Sequence, residues 1–309
     1  MSLVTVGSVA FDAIETPFGK TDKIIGGAGT YIAISSSYFV DKQNIIAVIG
    51  DDFPKEMIDK LESKGVNLEG LQIKKGEKSF FWSGKYANDM NSRETLVTEL
   101  NVLGDFDPIV PDSYQECDYL MLGNLSPEVQ LKVIQRLNNR PKLVALDTMN
   151  FWMETAMDDL KKALKKVDII IINDEEARQL SGEFSLVNAA KAIQKMGPKH
   201  LIIKKGEHGA LLFHESNNVF FAPALPLAEV FDPTGAGDTF AGGFMGYLAS
   251  TEDISFENMK RAVIIGSAMA SFCVEKFGIE RIENLTVDEI KDRIAEFVDL
   301  TDFDMHHAI

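Results

Sequence analysis

The segment of the chain best suited to chemistry is Asp232–Phe240, which reads Asp-Pro-Thr-Gly-Ala-Gly-Asp-Thr-Phe. Phe240, Phe244 and Leu248 recur at every fourth position, which predicts a helix with one buried face that begins near Gly235. The first turn of such a helix has free N–H groups and the positive end of the helix dipole. The glycines carry no side chain that would keep an anion from this backbone. The pattern therefore predicts a helix start that binds phosphate or an oxyanion.

Asp238 lies in the first turn of this predicted helix, and two roles suit a carboxylate there. As a simple N-terminal acid it would stabilise the helix through the dipole by roughly 0.3–1 kcal/mol. Alternatively, it accepts the proton of an acceptor hydroxyl while the neighbouring N–H groups stabilise the charge on a phosphoryl group in transfer. Phosphoryl transfer asks a protein for little beyond positioning, charge neutralisation and a base for the nucleophile.

The same helix contains Gly242, Gly243 and Gly246, which are intrinsically poor helix formers. A glycine has no side chain to hold a neighbouring element away. We therefore expect this helix to pack unusually close to another backbone.

The rest of the chain alternates short apolar runs with longer segments of helical period, as a parallel sheet with crossover helices does. We predict strands at Leu3–Val9, Ile45–Ile49, Tyr119–Leu122, Leu143–Leu146, Asp168–Ile172, Leu201–Lys204 and Ala210–Phe213. We predict helices at about 27–39, 53–64, 126–138, 157–166, 185–196, 236–250, 256–275 and 286–298. The predicted fold class is α/β, a doubly wound, mostly parallel sheet flanked by helices, with ligands beyond the carboxyl ends of the strands.

One stretch, residues 71–102, breaks this rhythm. Alternating residues on both sides of the polar turn at 88–92 predict a β-hairpin at 79–99. The hairpin would serve as a lid over a site or as a dimerisation surface, and an ordinary edge hairpin is the alternative. Residues 1–309 are predicted to form one domain carrying this insertion, either as a monomer or as a homodimer that pairs through the hairpin.

The composition argues against several classes of function. With 47 acidic and 31 basic residues the formal charge is -16, which disfavours binding to nucleic acid. No run approaches the roughly 18–20 apolar residues of a membrane span, and the N-terminus lacks the basic region of a signal peptide. Cys117 and Cys273 have no CxxC spacing, which indicates buried thiols in a reducing compartment. A cytoplasmic protein that binds neither membranes nor nucleic acid is expected.

At Asp232–Phe240 the sequence resembles, without a mismatch, the second signature of the PfkB (ribokinase-like) family of carbohydrate and nucleoside kinases. The resemblance implies a ribokinase-like fold, ATP and Mg²⁺ as cofactors, and a hairpin lid. It implies that Asp238 is the catalytic base and also contacts the substrate. It further implies that the backbone of Gly235, Ala236 and Gly237 forms the anion hole.

Landmarks of the substrate side are similar to those of the family and follow in its order. Asp12 resembles the terminal acid of the opening strand, which binds substrate hydroxyls, and Gly26 and Gly27 resemble the diglycine of the first signature. Tyr31 and Ala10 stand where ribokinase-type members have Asn, so recognition of ribose in the ribokinase manner is not expected. Tyr31 would offer the substrate an aromatic wall or a single hydroxyl, with core packing as its alternative role.

Landmarks of the nucleotide side also match. Asn173 and Glu176 are similar to the N-x-x-E motif that organises magnesium and phosphate, with Glu176 acting indirectly on Mg²⁺; alone, the pair would be a helix cap. Lys204 stands where many members of the family have Thr. It begins a segment with two glycines that is similar to the family's strand and turn beside the nucleotide. The remaining implied nucleotide contacts are Gly206, Gly209, Thr234, Gly235, Gly237 and Gly278. A monovalent cation such as K⁺ near Asp232 is a further implication.

The predicted function is ATP-dependent phosphorylation of a hydroxyl group on a small sugar or polyol. A nucleoside, for example an adenosine-like one, is the alternative acceptor, since the aromatic residues of the hairpin would suit a base as well as a sugar. A non-catalytic regulator on the same fold is a third hypothesis, against which the retained Asp238 argues. A dinucleotide-dependent oxidoreductase is not expected, because no G-x-G-x-x-G follows the first strand.

Overall fold

Within residues 2–302, which the computed structural model describes, the chain forms fourteen strands and ten α-helices. The strands are β1 (Leu3–Val6), β2 (Ala10–Thr16), β3 (Gly19–Lys20), β4 (Ile24–Gly26), β5 (Gln43–Gly50), β6 (Val66–Lys74), β7 (Phe81–Tyr86), β8 (Arg93–Glu99), β9 (Tyr119–Leu122), β10 (Leu143–Leu146), β11 (Ile169–Asn173), β12 (His200–Lys204), β13 (Ala210–Phe213) and β14 (Val219–Ala222). The helices are α1 (Ala28–Ser36), α2 (Lys55–Ser63), α3 (Pro127–Arg136), α4 (Asn150–Thr155), α5 (Met157–Leu164), α6 (Asp174–Ser181), α7 (Leu186–Gln194), α8 (Ala236–Thr251), α9 (Phe256–Cys273) and α10 (Val287–Thr301). The ends of the predicted domain, at 1 and 309, lie outside the described residues.

Nine of these strands form one large sheet in the order β14-β13-β12-β11-β10-β9-β1-β5-β6. The strands from β12 to β6 pair in parallel, whereas β13 and β14 pair antiparallel at one edge. The central strands are apolar along their length, as Ile169–Ile172 illustrates, because helices cover both faces. The predicted α/β class is confirmed. The pattern does not predict β6 and β14, which are partly exposed edge strands.

The opening strand was predicted at Leu3–Val9, and its predicted C-terminal boundary is wrong. Strand β1 stops at Val6, and the chain turns through 7–9 into β2, which pairs with β4 and β7 in a second sheet. Both β1 and β2 are largely buried, so hydrophobicity does not mark the break between them. Asp12 consequently lies within β2 and not at the end of the opening strand.

Two helical layers cover the large sheet, with α3, α5 and α7 on one face and α1, α8 and α9 on the other. Helix α8 approaches α1 so closely that a Cβ on Gly242 would lie 2.5 Å from the carbonyl oxygen of Ile32. Ser35 Oγ donates to the carbonyl oxygen of Thr239 across the same contact, at 2.7 Å. The predicted close packing of α8 is confirmed, and it ties the beginning of α8 to α1. No helix within 2–302 is long and apolar enough to cross a membrane.

The second sheet has the order β3-β2-β7-β8, with β4 paired to β2. Its antiparallel strands β7 and β8 are the hairpin predicted at 79–99. The insertion predicted at 71–102 begins too early, because residues 71–74 belong to β6 of the large sheet. The second sheet is therefore larger than a hairpin and includes the strand that carries Asp12.

Candidate active site

The predicted anion site is the beginning of α8. Gly235 is the N-cap residue in the left-handed conformation, with φ 75°, which glycine adopts without strain. Just before it, both carboxylate oxygens of Asp232 accept backbone N–H groups, from Thr234 at 2.8 Å and from Gly278 at 2.9 Å. The N–H of Ala236 donates to the Pro233 carbonyl at 3.2 Å and is thus already engaged within the turn. Gly278 supports Asp232 here, and its contact with adenine stays a prediction.

Asp238 lies on the first turn of α8 with a buried carboxylate oxygen, Oδ1, that has no hydrogen-bond partner among the described residues. Burial, together with the negative charge of Asp147, raises the pKa of Asp238 to about 7, although the positive charges of Lys204 and Arg93 oppose the rise. A carboxyl group that titrates near neutral pH is able both to take up and to release a proton. An acid that served only the helix dipole would be solvated, so this burial favours the second role considered for Asp238.

Asp12 reaches the same region from β2 and is only 4% exposed. Gly26, on the paired strand β4, leaves room for its carboxylate, since a Cβ there would lie 1.8 Å from Asp12 Oδ2. Burial, together with the neighbouring carboxylates of Asp232 and Asp238, raises the pKa of Asp12 to about 7. Gly27 is the N-cap residue of α1, with φ 92°. The structure thus brings the predicted acid and diglycine together.

Tyr31 lies on α1 between the two halves of the site and is 1% exposed. Its ring lies against the N-cap of α8, because a Cβ on Gly235 would be 2.4 Å from Tyr31 Cζ. Its hydroxyl is buried without a hydrogen-bond partner among the described residues. The ring therefore has the packing role considered above, whereas the hydroxyl is not explained by packing.

The Asn173 and Glu176 pair caps α6 as a capping box. Asn173 Oδ1 accepts from the Glu176 N–H, and Glu176 Oε2 accepts from the Asn173 N–H, both at 2.8 Å. Burial, with the nearby Asp147, raises the pKa of Glu176 to about 7. The part of the chain that the structure describes contains no cluster of His, Cys, Asp and Glu that would hold a metal alone. Asn173 and Glu176 fit a site for Mg²⁺, because this ion binds through one or two carboxylates, waters and substrate phosphates.

Lys204, at the end of β12, places its ammonium group at the beginning of α8. Lys204 Nζ lies 3.3 Å from Asp147 Oδ2, and a Cβ on Gly237 would lie only 2.8 Å from Nζ. Burial opposes the positive charge, but Asp147, Glu176 and Asp238 together hold the pKa of Lys204 above its ordinary value. A side-chain cation therefore adds to the positive end of the helix dipole at the predicted anion site.

The predicted nucleotide turn at 206–209 contacts the hairpin. Its glycines, Gly206 and Gly209, have φ 53° and 82°. A Cβ on Gly206 would lie 2.9 Å from Asn91 Oδ1 in the hairpin turn, and Asn91 Nδ2 donates to Glu207 Oε1 at 3.4 Å. An open pocket of about 340 Å³ lies beside this turn, lined by Lys205, Glu207, His208, Phe221, Pro223 and Ala224.

The hairpin also contacts the anion site and brings a residue there that the sequence did not point to. Thr234 Oγ1 donates to the Tyr86 hydroxyl at 3.0 Å. Arg93 lies directly opposite Tyr86 in the β7–β8 pairing, so both side chains are on one face of the hairpin. The Arg93 guanidinium lies 5.1 Å from the ring centre of Trp82. Its positive charge opposes the burial-driven rise in the pKa of Asp238.

Two of the residues that complete the site were within reach of the sequence. Arg93 follows the polar turn, and an antiparallel register centred on that turn would have set it opposite an inward-facing aromatic residue. Asp147 ends a predicted strand, at the edge where ligands bind. Neither position could be joined to Asp238 without the tertiary structure, since each of them lies far from α8 in the sequence.

The sequence matches a known protein family and is similar to a named kinase. Residues 2–284 match the pfkB family carbohydrate kinase pattern. A cytidine kinase of Thermococcus kodakarensis is 33% identical over 251 residues, which cover 79% of this chain and 87% of that protein.

Two solved structures share the fold. The Methanocaldococcus jannaschii nucleoside kinase, described as an archaeal member of the ribokinase family, superposes with a TM-score of 0.76 at 20% identity, over 96% of this chain and 99% of that one. A putative ribokinase II from E. coli, in complex with ATP and Mg²⁺, gives a TM-score of 0.78 at 19% identity, over 95% and 99% of the two chains. At these identities the likeness concerns the fold alone.

Proposed function

Because the chain belongs to the pfkB family of carbohydrate kinases and is thereby an ATP-dependent phosphotransferase with an alcohol group as acceptor, we propose that it phosphorylates a hydroxyl of a nucleoside or of a small sugar with Asp238 as general base. The observation that carries this assignment is the position of Asp238, with a partly buried carboxylate on the first turn of α8 and a pKa near neutrality. The acceptor oxygen attacks the γ-phosphorus of ATP, the bond to ADP breaks, and the acceptor's proton moves to Asp238.

The negative charge of the transferring group is met by three features of the chain. The helix dipole and glycine backbone at Gly235–Gly237 form the anion hole. Lys204 adds a fixed ammonium beside Gly237, and Arg93 adds a guanidinium from the hairpin. Magnesium, held chiefly by the nucleotide and through water by Glu176, would neutralise charge between the phosphates.

The hairpin acts as a lid in this proposal. Tyr86 and Asn91 touch elements of the anion site and of the nucleotide turn, respectively. With Arg93 on the same face as Tyr86, closure of the lid would both exclude water and deliver a charge. A hairpin that served only for dimerisation would not need these contacts, although a homodimer through the exposed strand β8 stays a prediction.

A nucleoside is the favoured acceptor. The relative with 33% identity is named a cytidine kinase, and the chain lacks the two Asn residues expected of ribokinase-like sugar recognition. Trp82, stacked beside Arg93 on the lid, would suit a nucleobase. A simple sugar or polyol is the second candidate, since Asp12 would bind the hydroxyls of either. K⁺ near Asp232 stays a prediction, as both oxygens of that carboxylate are occupied by N–H groups.

The test is an ADP-release screen with Mg·ATP against nucleosides, simple sugars and inositols, run with the wild type and Asp238→Asn. We expect turnover of a nucleoside and a loss of about 10²–10⁴-fold in the variant. Turnover by Asp238→Asn at the wild-type rate would contradict the assignment of the base. If an acceptor binds but nothing is phosphorylated by the wild type, the non-catalytic hypothesis replaces this one.

A further inference from the structure

Tyr31 carries a feature that the chemistry described above does not use. Its hydroxyl is buried, and no group within residues 2–302 forms a hydrogen bond with it. Burying an unpaired hydroxyl costs free energy, so phenylalanine would fill this position at lower cost if only packing mattered. A buried polar group without a partner calls for an explanation, and functional sites are where such costs are retained.

The position of the ring indicates which group the hydroxyl serves. The ring packs against the backbone of Gly235, because a Cβ added to that glycine would lie only 2.4 Å from Tyr31 Cζ. Asp238 follows Gly235 by three residues, and side chains three apart on a helix are neighbours at about 5–6 Å. Asp238 Oδ1 is itself buried without a hydrogen-bond partner among the described residues. A donor without an acceptor and an acceptor without a donor are thus both found around the beginning of α8, and Asp238 is one of the charged groups that act on the Tyr31 hydroxyl, after Asp12 and Asp232 in strength.

The charges around the pair keep Tyr31 a neutral donor. Burial raises the pKa of Tyr31 well above its ordinary value, and Asp12 is the strongest of the charged groups that raise it further. The charged or titratable groups that face Tyr31 or Asp238 come from six elements: Asp12 on β2, Arg93 on β8, Asp147 after β10, Lys204 on β12, Asp232 before α8 and Cys273 on α9. Towards the carboxylates of this set a neutral phenol is able to donate its proton in a hydrogen bond without adding charge.

We infer that Tyr31 is a positioning residue for Asp238, an inference that rests on the proposed function. When acceptor and nucleotide are bound, the Tyr31 hydroxyl donates to Asp238 Oδ1 and holds the carboxylate so that its other oxygen, Oδ2, faces the acceptor hydroxyl. The transfer itself is unchanged: the acceptor's proton goes to Asp238 Oδ2, and Tyr31 keeps its own. A hydrogen bond to the charged form also favours that form, so Tyr31 helps to keep the base deprotonated.

The test is Tyr31→Phe, which removes only the hydroxyl. We expect a urea midpoint equal to or above that of the wild type, a kcat reduced about tenfold with little change in the acceptor KM, and an acidic limb of the kcat profile displaced to higher pH. Tyr119→Phe is the matched control, because the Tyr119 hydroxyl is likewise buried without a hydrogen-bond partner among the described residues. Tyr119 is the first residue of β9, and its charged neighbours include Glu252 at the end of α8 opposite to Asp238. The control variant should reproduce the stability change and leave the kinetics unchanged.

A double variant separates this inference from a general effect on the pocket. In an Asp238→Asn background, Tyr31→Phe should lower the residual rate by much less than tenfold, because the group that it positions is gone. A Tyr31→Phe enzyme with wild-type kcat and pH profile, or with a loss confined to the acceptor KM, would overturn the inference. An equal tenfold loss in both backgrounds would also overturn it. Absence of turnover by the wild type with every acceptor would instead refute the proposed function.

Discussion

Replacing Asp238 by Asn should stabilise the protein at alkaline pH while it removes activity. The pKa of Asp238 is raised, chiefly by burial, from 3.8 to about 7. Between these values the folded state keeps a proton that the unfolded state has lost, so the stability that Asp238 contributes below pH 4 is lost as pH rises through 7. At about 1.4 kcal/mol per pKa unit, the total loss is about 4 kcal/mol, of which about 2–3 kcal/mol falls between pH 5 and pH 8. Asn has the same shape and stays neutral, so it avoids this loss.

The assay is urea unfolding of the wild type and Asp238→Asn at pH 5, 6, 7 and 8 under one ionic strength. We expect the stability of the variant relative to the wild type to increase by about 2–3 kcal/mol from pH 5 to pH 8. Asp105→Asn, at an exposed position, is the control and should show no such trend. A constant difference between Asp238→Asn and the wild type across this range would mean that Asp238 titrates as an ordinary carboxylate. Burial would then not tune Asp238 as a base.

Three further substitutions test other parts of the site. Gly235→Ala should destabilise the fold by more than Gly182→Ala, because both positions are left-handed but only the new methyl at 235 meets a side chain, the Tyr31 ring; equal unfolding midpoints would contradict this packing. Arg93→Met should lower kcat by about tenfold or more with the urea midpoint unchanged, and wild-type kcat would remove Arg93 from the mechanism. Lys204→Met should raise the KM for ATP and lower kcat together, whereas an effect on acceptor KM alone would contradict its place beside the phosphates.

The large sheet and the beginning of α8 were predictable because their signals are local. Strands such as β11 are continuous apolar runs, which is the sequence pattern expected of a strand that helices cover on both faces. The N-cap at Gly235 follows from a glycine that precedes a periodic helix, and it lies where the sequence predicts. The capping box formed by Asn173 and Glu176 is equally local, since both of its hydrogen bonds span three residues.

The second sheet and the charges on it were not predictable in the same way. Strand β2 looks like a continuation of β1, and its place in the second sheet depends on pairings such as that of Phe11 with Phe81, 70 positions further along the chain. Arg93 is a charged residue that is exposed on β8. Its proposed role depends on the hairpin register and on the contact of Tyr86 with Thr234. Such long-range contacts leave no trace in a periodic pattern.

The proposed reaction transfers a phosphoryl group from ATP to a hydroxyl, with Asp238 as the base. The most direct measurement is mass spectrometry of the acceptor after reaction with Mg·ATP, with ADP quantified in the same sample. We predict one phosphorylated acceptor for each ADP formed, and neither product above background with Asp238→Asn. Release of ADP with inorganic phosphate and an unmodified acceptor, or equal product from the Asn variant, would contradict the account.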